Sequence, residues 1–164
     1  MRNLYALFLL IVCCSFQGSI VIPSDFYFKI DSGGTDNYNS KTGLFRRLYI
    51  GGAKIFEIKL DDNDRKAIYE LCKVINFQSF PENFEINSNT PDPVTITMPS
   101  FRSSIEVCGD SICKRVTLNF EDLKNPIHDK EKAFIYEKLY NKIWQIIESK
   151  EEYKNIPESD VFYF

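Results

Sequence analysis

The chain has 164 residues, a formal charge of −3 at neutral pH, 44% apolar and 26% charged residues. That mild acidity argues against nucleic acid as a partner, which calls for a basic footprint. The length suits one domain with a core of its own, and no apolar run approaches the roughly 20 residues of a membrane span.

The first 18 residues read as a leader. Arg2 supplies a short basic start, Tyr5 to Cys14 form an uncharged apolar run of ten, and small and polar residues follow, the order of a signal peptide. Leu10-Ile11-Val12-Cys13 resembles the lipobox of bacterial lipoproteins, whose cysteine becomes a lipidated first residue. Val12 stands where that motif usually has Gly, Ala or Ser, and Cys14 is no better placed. Simple cleavage, for instance after Ser15, is the competing reading. Either way the protein is expected to be exported, with any membrane attachment made only through an N-terminal lipid.

Residues 19–164 are expected to fold as one unit, with a short tail from about residue 154. Phe26, Phe28 and Ile30 alternate with polar neighbours, the period of a half-buried strand. "DSGGTDNYNSKTG" has no aliphatic member and reads as a loop. Two β-rich runs then flank Gly51-Gly52, a hairpin signal. From Asp61 the period changes: Ile68, Leu71, Cys72 and Ile75 share a helical face, and Asp61 with Asp64 has capping-box spacing. Pro81 closes the segment. Val94, Ile96 and Met98 suggest a short strand, and "SSIEVCGDSICKRVTLNF" a second hairpin. Residues 129–150 form the longest helix, with a stripe of Ile135, Leu139, Ile143 and Ile146 widened by Tyr136, Tyr140 and Ile147. Trp144 flanks it as a core or core-edge residue. The order β-β-β-α-β-β-β-α predicts an α+β fold: a mainly antiparallel sheet of five to six strands with two helices on one face.

The hairpin can be read by register. A two-residue turn at Asp110-Ser111 sets Cys108 opposite Cys113, Glu106 opposite Arg115, Ile105 opposite Val116 and Ser104 opposite Thr117, so charges, apolar groups and hydroxyls all match. The cysteines then form a non-hydrogen-bonded pair with Cα atoms about 4.5 Å apart, within disulfide reach. They share the outer face with Glu106 and Arg115. In an oxidising compartment a structural disulfide is expected, with free thiols as the alternative. C-x₂-C spacing and a helix N-terminus, the devices that activate a thiol, are both missing. Cys72, on the apolar helix face, is left as a buried thiol.

No catalytic residue, metal ligand or cofactor motif stands out. His128 is the sole histidine, shares no ligand spacing, and leaves histidine-centred triads without a pivot. Asp61, Asp62 and Asp64 lack the later ligands and the glycine of a calcium loop. No phosphate-loop motif occurs. Carboxylates could still be assembled by folding. Long loops are often functional, so the candidate interaction loop is Ser32–Gly43, with Gly33, Gly34, Tyr38, Lys41 and the flanking Arg46 and Arg47.

"NYNSKTGLFRR", the capped helix ending near "FQSFP" and "IEVCGDSICKRVT" together resemble a group of small bacterial envelope lipoproteins, which implies compartment and fold but no activity. The strand ending in Ser32-Gly33-Gly34, the capped helix and Phe80-Pro81 are also similar to emfourins, inhibitors of thermolysin-like metalloproteases. The Asn- and Ser-bearing insertion departs from that pattern, and no inhibitory residue carries over. The expectation is an exported, non-catalytic binding or inhibitory module whose partner is another protein of the envelope or exterior. A hydrolase using fold-assembled carboxylates and a structural accessory protein are the alternatives. Oligomeric state is not legible.

Overall fold

The computed structural model describes residues 21–87, 89 and 101–162. The leader with Cys13 and Cys14, the strand expected at Val94–Met98 and the last two residues lie outside them. The described residues form a six-stranded antiparallel sheet: β1 (Tyr27–Asp31), β2 (Asp36–Asn39), β3 (Leu44–Tyr49), β4 (Gly52–Glu57), β5 (Ser103–Gly109) and β6 (Ile112–Leu118), in the spatial order β4-β3-β2-β1-β5-β6. Helix α1 (Asp62–Val74) leaves β4, the long α2 (Lys130–Glu148) follows β6, and a single turn, α3 (Glu151–Lys154), precedes the tail. This is the expected α+β class. The element order differs in one place, because four strands rather than three precede the first helix.

The extra strand is β2, inside the segment expected to be a loop. Tyr38 is its only fully buried side chain (1% exposed), and its hydroxyl donates to the Ile58 carbonyl at 3.0 Å. Asp36, Asn37 and Asn39 have low β propensity, but β1 and β3 pair with this segment on both sides. The ladder overrides the propensity. Alternation along β1, β2, β3, β5 and β6 sends Phe28, Ile30, Tyr38, Phe45, Ile105, Val107, Val116 and Leu118 into one core with the buried faces of α1 and α2, while the edge strand β4 buries no residue fully. The opposite face carries Lys29, Asn37, Asn39, Arg46, Glu106 and Arg115.

Helix α1 starts as expected: Asp61 accepts from the Asp64 N–H, and Asp64 returns a bond to the Asp61 N–H. This reciprocal cap explains the acidic run without a metal. Lys150 adds an ion pair to Asp64 from the start of α3. On α2 the buried stripe is Ala133, Tyr136, Tyr140, Ile143 and Ile147, with Leu139 and Trp144 beside it. It is rotated from the expected one, and Ile135 stays 39% exposed. The hairpin turn at β3–β4 also shifts by one residue: Tyr49 pairs with Gly52, so Ile50-Gly51 form the turn and Gly52 takes the positive φ.

The β5–β6 register is the expected one throughout, including Cys108 opposite Cys113 and Glu106 opposite Arg115. Asp110 and Ser111 both have positive φ (51° and 62°), as a type I′ turn requires. Cys108 and Cys113 are disulfide-bonded with Cα atoms 4.1 Å apart. Cys113 is exposed, but Cys108 is 3% exposed beside Tyr27, its partner on β1. Both share the face of Glu106 and Arg115, with Cys108 covered there and Cys113 open. Burial pushes the Cys72 thiol up to about 12, which makes it inert. In the domain from residue 19 onward, intact mass is expected to show one alkylatable thiol, Cys72, in unfolded non-reduced protein and two more after reduction. Replacing both hairpin cysteines by serine should cost less than the ~3 kcal/mol typical of a 15-residue loop.

Candidate functional site

The residues of the expected interaction loop do not converge. Gly33 turns the chain between β1 and β2 at φ +77°, and a Cβ there would lie 2.5 Å from the Arg102 carbonyl oxygen. That glycine is required by close packing. Gly34 follows in the same turn. Tyr38 is core. Lys41 lies at the far end of β2, over the Tyr27 ring (5.1 Å), and Arg46 lies on the open sheet face. Arg47 points the other way and is 6% exposed. Ser32–Gly43 is therefore a turn, a strand and a second turn. It is not one mobile surface.

Lys41 and Tyr27 line a concavity of about 450 Å³ beside the disulfide, with Asp25 and Arg65. Asp25 is occupied structurally: its two carboxylate oxygens accept the N–H groups of Asp110 and Ser111 at 3.0 and 2.9 Å. The Ser111 bond, then the Asp110 bond, holds this carboxyl below its usual range. It clips the hairpin turn to the segment leading into β1.

Arg47 is the centre of a larger arrangement. Its Nε and Nη2 donate to the two oxygens of Asp36 at 2.9 and 2.6 Å, a bidentate pair. Nη1 donates to the Pro157 carbonyl at 2.9 Å and Nη2 to the Tyr153 hydroxyl at 2.8 Å. The guanidinium also lies 5.1 Å from the Phe45 ring and 5.2 Å from that of Tyr153. Hydrogen bonding to Asp36 raises its pKa still further. The same network ties down the tail. Tyr49 donates its hydroxyl proton to the Pro157 carbonyl (2.7 Å), Ser159 donates to the Leu48 carbonyl (2.6 Å), and Asp160 accepts the Ile50 N–H (2.8 Å).

Around this network the surface is concave. Two hollows of about 500 and 570 Å³ share Asp36, Glu148 and Tyr153 in their walls and run together as a trough from Ser32 to Ser159. One wall is aromatic: Trp144 meets Phe45 and Tyr140 edge-on, with centroids 6.3 and 6.1 Å apart, and Tyr153 meets Phe45 at 5.4 Å. Along the rim, Asn141, Gln145 and Glu148 recur at i, i+4 and i+7 of α2, all exposed. Burial raises the Tyr140 phenol to about 12 and pushes Tyr153 upward, and the negative charge of Glu148 adds to both. Glu148 thus acts across the trough.

Sequence reasoning placed Trp144 at the core edge, which is its position, but did not assemble this site. The signal lay in α2, where polar residues at helical spacing run beside the Tyr140–Trp144 pair. Its other half comes from the β1–β2 turn and the tail, too far along the chain to be joined by pattern. Among the described residues no three His, Cys, Asp or Glu side chains gather as a metal site. His128 is exposed, its backbone N–H donating to the Glu85 carbonyl at 3.0 Å. Asp122 is pushed upward by burial but lies in the 3-10 turn Phe120–Lys124, away from the trough. The chain matches no protein-family model, no curated protein and no solved structure.

Proposed function

We propose that the protein is an exported, non-catalytic binding module of a bacterial envelope and that it holds another envelope protein in the trough beside α2. The leader-like first residues and the disulfide support export, and the lipobox resemblance supports a tether through Cys13. The observation that carries the binding reading is the trough itself: a concave, aromatic-walled surface rimmed by Asn141, Gln145 and Glu148, whose side chains have no partner within the described residues. Amide side chains exposed on one helix face can each give and take a hydrogen bond with a partner's backbone. Hydrolysis by paired carboxylates is less well supported here. Of the two acids shared by both hollows, Asp36 spends both oxygens on Arg47, and the remaining wall acids Glu148 and Glu158 are both exposed, without the burial that tunes a carboxyl for acid–base work. The resemblance to emfourins makes a protease one partner of this kind.

The test is affinity capture from native envelope using the mature domain and an Asn141→Ala/Gln145→Ala variant of unchanged thermal stability. A protein retained by the parent and lost by the variant is the expected result. Equal retention by both, or capture by neither, overturns the assignment of this surface.

A further inference from the structure

The geometry points to a cationic side chain, lysine or arginine in an extended peptide segment, as the group this trough accepts; the inference rests on the binding role proposed for the trough. Charge comes first. Asp36 and Arg47 neutralise one another, and Lys154 is paired with Glu151 at 2.5 Å. What is left in the walls is Glu148 and Glu158, neither with a cationic partner within the described residues. The trough is thus net negative: Asp36, Glu148 and Glu158 outnumber Arg47 and Lys154 in its walls.

Shape and chemistry agree with a lysine or arginine better than with a bare cation. Tyr140 and Trp144 are 8% and 9% exposed, so they offer apolar edges to a methylene stem, as long cationic side chains use, and no open face for stacking a sugar ring. Tyr153 already lies under one guanidinium, that of Arg47, so the site's own chemistry includes a cation beside an aromatic ring. Glu148, exposed in the wall common to both hollows, is the carboxylate available to the charged head, and Asn141 and Gln145 can each give and take a hydrogen bond with peptide amides. The two hollows adjoin at Asp36, Glu148 and Tyr153, which leaves room for a residue on either side of the cationic one.

Trp144 is the only tryptophan, so its fluorescence reports on this wall alone. The full mature protein is titrated with an acetylated, amidated tripeptide Gly-Lys-Gly, with the arginine version, and with versions carrying norleucine or glutamate at the centre. Isothermal titration is run alongside. Saturable binding of the lysine and arginine peptides that shifts Trp144 emission is expected, weaker by about tenfold or more with norleucine or after Glu148→Gln, the variant keeping its thermal stability. Equal binding of norleucine, an unaffected Glu148→Gln variant, heat without a Trp144 response, or no binding of any peptide would overturn the inference. If the envelope partner is still captured through Asn141 and Gln145 while the cationic peptides fail, only the ligand class is wrong. If both fail, the binding site is wrong.

Discussion

Replacing Asp36 by alanine is expected to destabilise the protein by about 3 kcal/mol or more, read as a shift in urea-unfolding free energy. Removing one member of a buried ion pair leaves the other charged and largely out of water, a loss of about 3–5 kcal/mol. The Arg47 side chain is 7% exposed and that of Asp36 15%. The lower end of the range applies because Arg47 keeps the Pro157 carbonyl and the Tyr153 hydroxyl. The double change Asp36→Leu/Arg47→Met should cost less than Asp36→Ala alone, since it removes the orphaned charge with its partner. If Asp36→Ala costs under about 1 kcal/mol, as exposed pairs do, then the pair is not the keystone described above. The tail supplies a second readout: Pro157 and Tyr153 lose part of their anchor, so cleavage near Pro157 by added protease should quicken in the variant.

Tyr38 separates the two readings of its segment by stability alone. As a core residue, Tyr38→Ala should cost about 3–5 kcal/mol, the usual range for deleting a buried aromatic ring. Tyr38→Phe keeps the ring but leaves the Ile58 carbonyl without its donor, a loss of about 1–3 kcal/mol. A ligand-contacting surface tyrosine would give changes within about 0.5 kcal/mol for both. Denaturant unfolding of the two variants decides it.

Tyr38 also shows where the sequence is readable. The β5–β6 hairpin is legible to the residue because Ser104, Ile105 and Glu106 each face a chemically matched partner, and any slip spoils several matches at once. The start of α1 is legible because Asp61 and Asp64 cap it within four residues. Strand β2 is not, since Asp36-Asn37-Tyr38-Asn39 holds one apolar side chain and owes its conformation to β1 and β3, which flank it in space. The stripe of α2 was misplaced by less than a turn because Ile135 and Ile146 are as apolar as the residues that are buried. Arg47 illustrates the same limit: a charge beside another charge in "FRR" gives no sign that one points to solvent and its neighbour to the core. The trough draws on the β1–β2 turn, β2, β3, α2, α3 and the tail, and only the folded chain brings these together.

The sheet order has a consequence for how the chain folds. Strands β1 to β4 form a meander in which every pairing is between chain neighbours, and β5 with β6 is a hairpin of the same local kind. The two blocks meet along a single seam, Tyr27–Asp31 against Ser104–Cys108. Local pairings form quickly, whereas contacts distant in sequence carry the loop-closure entropy and set the rate. Within the sheet, that entropic barrier falls on one ladder of five residue pairs. The disulfide sits at one end of the ladder, where Tyr27 faces Cys108, and ties together the two strands of the hairpin that docks there.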